Sequence, residues 1–152
     1  MSRTFLAALA LTAGLSTAAL APEDARSDDH AAVERAAQDY VDAIYLVKPE
    51  LIDRSVSRDL VKLGIWRQEG ATDYSEPMGM TYAQLHDLAG KWNVDDRNGK
   101  DLASDVEVLD LLDRTATVKL TASWGVDYMH LLKQGEKWQI VQILWQSHPP
   151  TE

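Results

Sequence analysis

Asp127, Tyr128 and His130 stand close together near the C-terminus on a segment of strand-like pattern, and Tyr40 and Tyr45 lie on a segment of helical period near the N-terminus. A carboxylate or imidazole as general base and a phenol as oxyanion donor would make an isomerase-like acid–base site, if both were aimed into one cavity. Spacing restricts the choice. Side chains along a strand alternate between its faces, so Asp127 and His130 point opposite ways unless a bulge intervenes. Tyr128 and His130 share a face and form the expected polar pair of a pocket, with a tyrosine from the first helix beside them. The plainer alternative, which is preferred, packs Tyr128 and leaves His130 hydrogen-bonded at the sheet surface. Asp127 is expected to make a polar contact at a strand edge.

The aromatic residues point to binding. There are 5 tryptophans but only 1 phenylalanine, Phe5, and that one lies in the N-terminal apolar run. An indole offers a flat apolar face and one N–H donor, which suits a planar ligand. Most of the tryptophans are expected in the core, with Trp66, Trp92 and Trp124 as the pocket wall. Together with Tyr45, Tyr128 and His130 they form the expected ligand-binding set. No residue is assigned a catalytic role.

Other chemistries find little support. His30, His86, His130 and His148 are far apart in sequence, with no His-x-x-x-His pair, so no metal site is expected. The absence of cysteine removes disulfides, thiolate ligands and a cysteine nucleophile. There is no Gly-x-Ser-x-Gly elbow. The 8 glycines are scattered and make no phosphate-binding loop, so no cofactor is implied. With 24 Asp and Glu against 15 Lys and Arg, the formal charge is -9. That argues against nucleic acid and against docking on an anionic membrane.

The elements that must carry these residues follow from periodicity. From Ala31, apolar residues at Val33, Ala36, Ala37, Tyr40, Val41 and Ile44 make a one-sided helix. Asp28 or Asp29 is its expected cap, and Pro49 bounds its end. Pro49 to Asp53 starts a second, short helix. Leu60 to Trp66 reads as a short strand and Gln68 to Met80 as a loop. Thr81-Tyr82-Ala83-Gln84 has the form of a capping box, with Met80 and Leu85 as a hydrophobic staple. The helix that follows should bury Tyr82, Leu85, Leu88, Ala89 and Trp92. Asn93 to Ala103 is polar and contains an Asn98-Gly99 turn.

Strands are expected over Ser104 to Leu111, Arg114 to Trp124, Val126 to Lys133 and Lys137 to Gln146. In the second of these, Ala116, Val118, Leu120, Ala122 and Trp124 face one way, the mark of a half-buried antiparallel strand. In the last, Gln139, Val141, Ile143 and Trp145 would share one face, and Trp138, Ile140, Gln142, Leu144 and Gln146 the other. Both faces of the last two strands carry apolar residues, so the outer face needs a cover. A second copy of the chain is the simplest one, which predicts a homodimer through the outer sheet face.

Residues 1–21 have the pattern of an export signal. Arg3 is the only charge before Glu23, Phe5 to Leu15 is apolar, and Ala19-Leu20-Ala21 fits small-x-small cleavage. The expected organisation is a signal over 1–21, a flexible lead-in over 22–29, one domain over 30–148 and a tail over 149–152. The mature chain is expected in the periplasm or secreted, with no membrane association.

Helices first and then an antiparallel meander make an α+β fold, helices packed in a strongly curved antiparallel sheet. In this order the chain resembles the nuclear-transport-factor-like, or cystatin-like, cone superfamily. The pieces Met80-Thr81-Tyr82-Ala83-Gln84-Leu85, Lys91-Trp92-Asn93, Trp124-Gly125-Val126-Asp127-Tyr128-Met129-His130-Leu131 and Trp138-Gln139-Ile140-Val141 are similar to its lumazine-binding branch. The resemblance covers roughly Ala31 to Gln146. It implies a cone-shaped α+β barrel with a pocket at its wide end. Relatives in the superfamily include ketosteroid isomerase and polyketide cyclases, while others bind or only dimerise, so the fold does not choose among these. Members of the branch often carry a His-Pro pair where Ser57-Arg58 stands here, which weakens an enzymatic expectation. The reading that results is an exported binder of a small apolar or aromatic molecule, with an isomerase- or cyclase-type enzyme and a dimerisation module as alternatives.

Overall fold

The computed structural model describes residues 23–150 apart from residue 69. The expected export signal over residues 1–21 lies outside them. Helix α1 runs over Glu23–Tyr45. Its predicted stripe is buried without exception: Val33, Ala36, Ala37, Tyr40, Val41 and Ile44 all belong to the core. The helix starts well ahead of Ala31, so most of the stretch read as a lead-in is helical, and Asp28 and Asp29 lie inside the helix rather than capping it. The sequence from Glu23 to Asp29 contains no proline or glycine to break a helix. Asp29 also has tertiary partners, accepting from Lys133 Nζ at 2.6 Å and from Trp138 Nε1 at 2.9 Å.

Helix α2 covers Glu50–Ser55, with Pro49 at its start in helical geometry. Strand β1 follows directly at Val56 and runs to Ile65, longer than the expected Leu60 to Trp66. The polar run Ser57-Arg58-Asp59 hides its first half, because a shift of register interrupts the pairing there. Within the expected loop, Met78–Met80 forms β2, a short edge strand antiparallel to β1. Helix α3 spans Tyr82–Ala89. Its capping box is present: Thr81 Oγ1 accepts from the Gln84 amide at 3.3 Å, and Gln84 Oε1 accepts from the Thr81 amide at 2.8 Å. The helix ends before Trp92, which sits in the turn beyond it.

The meander comprises β3 (Asp105–Leu111), β4 (Thr115–Ala122), β5 (Gly125–Gln134) and β6 (Lys137–Gln146). The sheet order is β2-β1-β6-β5-β4-β3, open at β2 and β3. It is mixed rather than wholly antiparallel, because β1 pairs with β6 in parallel. Parallel neighbours need a long crossover, and everything from β2 to β5 supplies it. All three helices lie against the sheet or one another on its inner face, with α1 crossing β3, β4 and β6.

The alternation of β4 is as expected, with Ala116, Val118, Leu120 and Ala122 buried. That of β6 is not. A bulge between His130 and Leu131 leaves Val141 out of the ladder. Trp138 and Ile140 then point inward on one side of it, and Ile143 on the other, while Gln142 and Leu144 face out. A bulge bends its strand and raises the local twist, as a sheet wrapping a helix requires.

Candidate functional site

The β4 alternation and the two-residue turn Ser123-Trp124 set the register of β5. Ala122 pairs with Gly125 and Leu120 with Asp127. Cross-strand partners share a face, so Asp127 follows buried Leu120 inward. Asp127 is 0 % exposed, and this corrects its reading as an edge contact. Tyr128 and His130 share the other face, as expected, but that face is the outer one. Tyr128 is 46 % exposed, and His130 Nδ1 lies 2.9 Å from Gln142 Oε1 at the surface. The Tyr128/His130 pair therefore does not line the interior of the cone.

A different set of groups meets there. Lys62, inward on β1, places Nζ 3.2 Å from Asp127 Oδ1 and 2.5 Å from the hydroxyl of Tyr40 on α1. The Tyr40 hydroxyl lies 3.4 Å from the same carboxylate oxygen, to which it donates. Trp124 Nε1 donates to the other oxygen, Oδ2, at 2.6 Å. The Lys62 ammonium is also 5.7 Å from the ring centre of Trp145, within reach of a cation–π contact. The Trp145 ring rests on Gly64, its partner in the β1–β6 ladder: a methyl added there would lie 2.0 Å from Trp145 Nε1.

Burial of the phenol, reinforced by the negative charge of Asp127 and the bond to it, holds the Tyr40 hydroxyl well above the ordinary tyrosine range. Tyr40 is thus a neutral donor at neutral pH. A buried ion pair is weak evidence for stability, since apolar residues of like volume often do as well, so its placement inside the cone marks a candidate site.

Above this polar group lies an aromatic one. Tyr45 stacks on Trp92 at 5.9 Å between ring centres. Trp124 meets Tyr45 edge-on at 5.3 Å, Trp92 at 5.5 Å and Tyr40 at 6.3 Å. The Tyr45 hydroxyl donates to the Ala103 carbonyl at 3.0 Å and accepts from the Ser123 amide at 2.7 Å. Buried Asn93 holds the turn that carries Trp92: Nδ2 donates to the carbonyls of Tyr45 at 2.9 Å and Gly99 at 3.0 Å. The structure thus brings together Tyr45, Trp92 and Trp124 of the expected set. Trp66 is not among them; it lies beyond the end of β1 and is 43 % exposed.

Lys62 escaped the sequence reading because its outward neighbours Val61 and Leu63 are apolar, which masks the alternation of β1. Asp127 could have been found by counting back through the Ser123-Trp124 turn from the β4 stripe. Among the described residues, no group of three or more His, Cys, Asp or Glu is placed to hold a metal ion.

Comparison with known structures places the fold. An NTF2-like protein of unknown function from Silicibacter pomeroyi superposes with a TM-score of 0.64 at 14 % identity, covering 81 % of this chain and 98 % of its own. A second NTF2-like protein, from Shewanella baltica, gives 0.63 at 14 % identity, covering 82 % and 97 %. A cystatin-like domain of unknown function from Nostoc punctiforme gives 0.54 at 14 % identity, covering 82 % and 79 %. At these identities the likeness concerns the fold alone. No curated protein matches the chain in sequence. The family model described as "Putative lumazine-binding" matches residues 28–146, from the clasped first turns of α1 to the end of β6, and the chain belongs to that family and to the NTF2-like cone fold.

Proposed function

We propose that this is an exported, non-catalytic binding protein that holds a small, planar, partly apolar molecule in its cone. The observation that carries the reading is the buried Asp127–Lys62–Tyr40 group set directly against the Tyr45–Trp92–Trp124 aromatic group. Convergent polar groups orient a ligand, while aromatic faces supply contact area. The description of the family, which concerns lumazine binding, agrees with a flat ligand. Export rests on the signal pattern over residues 1–21.

We further propose a homodimer through the outer sheet face. There Leu63, Leu144 and Tyr128 form one cross-strand row, all exposed, beside a groove of about 170 Å³ that Ile65 and Pro77 complete. Contiguous exposed apolar side chains of this kind mark interaction surfaces.

A second reading, acid–base catalysis, draws support from Tyr40, a neutral phenol beside a carboxylate, the pairing used to move a proton next to a carbonyl. The binding reading is preferred because both Asp127 oxygens already accept from donors, Lys62 at one and Trp124 at the other.

Native mass spectrometry of the mature chain, purified without refolding, tests the proposal. A dimer carrying a small mass that is lost in Asp127→Asn supports binding in the cone. An empty chain that also takes up no flat heterocycle overturns it. Loss of an α-proton to deuterated water from a cyclic ketone, abolished in Asp127→Asn, would favour catalysis instead.

A further inference from the structure

We propose that the indole of Trp124 is the chain's own occupant of the polar end of the cone, and that the molecule able to displace it is a planar heteroaromatic bearing a ring N–H donor. This rests on the reading of the cone as a ligand site and adds what the ligand must replace. Among the described residues, Trp124 Nε1 is the donor that serves Asp127 Oδ2, at 2.6 Å, whereas Lys62 and Tyr40 both address Oδ1. The indole ring touches Tyr40, Tyr45 and Trp92, so one side chain supplies both the aromatic contacts and the hydrogen bond of a flat ligand.

The backbone lets it leave. Lys62 and Asp127 are fixed in ladder positions and Tyr40 in a helix. Trp124 sits in the two-residue turn beyond the last ladder pair, Ala122 with Gly125. Its side chain can therefore rotate outward without breaking a strand pair. It is also half-buried, where Asp127 and Tyr40 are wholly buried, and it is in contact with both of them. A molecule entering in its place must give Oδ2 a donor again, because an unpaired carboxylate oxygen in a dry site carries the full cost of its lost hydration. A flat ring without an N–H is rejected on that ground.

The test compares indole with 1-methylindole, by titration calorimetry, on the intact chain and on Trp124→Ala. Indole is expected to bind Trp124→Ala about tenfold more tightly than it binds the intact chain, and about tenfold more tightly than 1-methylindole does. Equal affinity of Trp124→Ala for the two probes overturns the requirement for an N–H, and no gain over the intact chain overturns the role of occupant. Should Trp124→Ala fail to fold, hydrogen exchange in the intact chain decides. The Trp124 Nε1 proton should exchange faster than the amides of β4 and β5; exchange only in step with them overturns the proposal. If a native ligand binds while that proton stays bonded to Asp127, the binding role stands and this inference falls. Uptake of indole by Trp124→Ala, with no small molecule bound by the intact chain, supports the occupant and counts against the binding role.

Discussion

Lys62 and Asp127 carry opposite charges on buried side chains, and each is the other's ionic partner. Removing one partner strands a charge, whereas removing both does not. Lys62→Met alone should therefore lower stability by about 3–5 kcal/mol in chemical denaturation, and Lys62→Met combined with Asp127→Leu should recover most of that loss. Additive losses would mean the two charges are not coupled. Gly64 acts at the same scale by being absent: it leaves room for the Trp145 ring that faces Lys62. Gly64→Ala should cost about 1–3 kcal/mol, typical of forcing an extra carbon into a packed site, and should shift the Trp145 indole resonance. An unmoved Trp145 signal would show that the strand, not the ring, gives way.

Among the elements, α1 sets the geometry of the site, since it carries both Tyr40 and Tyr45. Its first turns are clasped to the β5–β6 hairpin by Asp29, which accepts from Lys133 and Trp138. Those bonds, led by the one from Lys133, hold the Asp29 carboxyl below its ordinary value of 3.8. A depressed carboxyl contributes stability that is complete above the unfolded value and lost as pH falls through the folded one. The melting temperature should thus decline as pH drops below about 4, and Asp29→Asn should flatten that decline. An acid limb of the same steepness in Asp29→Asn would assign the loss to other carboxylates. At the far end of the helix, Val47 holds a left-handed φ of 55° as the Lys48 amide reaches back to the Ala43 carbonyl. That position ordinarily takes glycine, and a β-branched residue there is strained.

For the whole molecule, the two faces of the sheet have separate duties. The inner face holds the helices and the buried polar group. The outer face leaves Leu63, Tyr128 and Leu144 in contact with water. Leu144, 56 % exposed at the centre of that row, is the position at which a charge would do most to prevent pairing of two sheets and least to disturb the core. Leu144→Glu should convert a dimer to a monomer in analytical ultracentrifugation while leaving thermal stability per chain nearly unchanged. A dimer that survives this change would put the contact elsewhere.

What the sequence determines by itself is whatever repeats at short range. The stripe of α1, the capping box of α3 and the alternation of β4 depend on residues within a few positions of each other, and all three stand in the structure. The order of these elements, with their local motifs, was enough for the family. The site lay beyond such reading. Asp127 becomes a buried partner only because the Ser123-Trp124 turn sets its register, and Lys62 only because β1 lies parallel to β6 across a crossover spanning most of the chain. The bulge that leaves out Val141 likewise reverses the faces of β6 beyond it, which no count of alternate residues anticipates. A strand's inward face is a choice between two equal periods, and the tertiary pairing alone makes it.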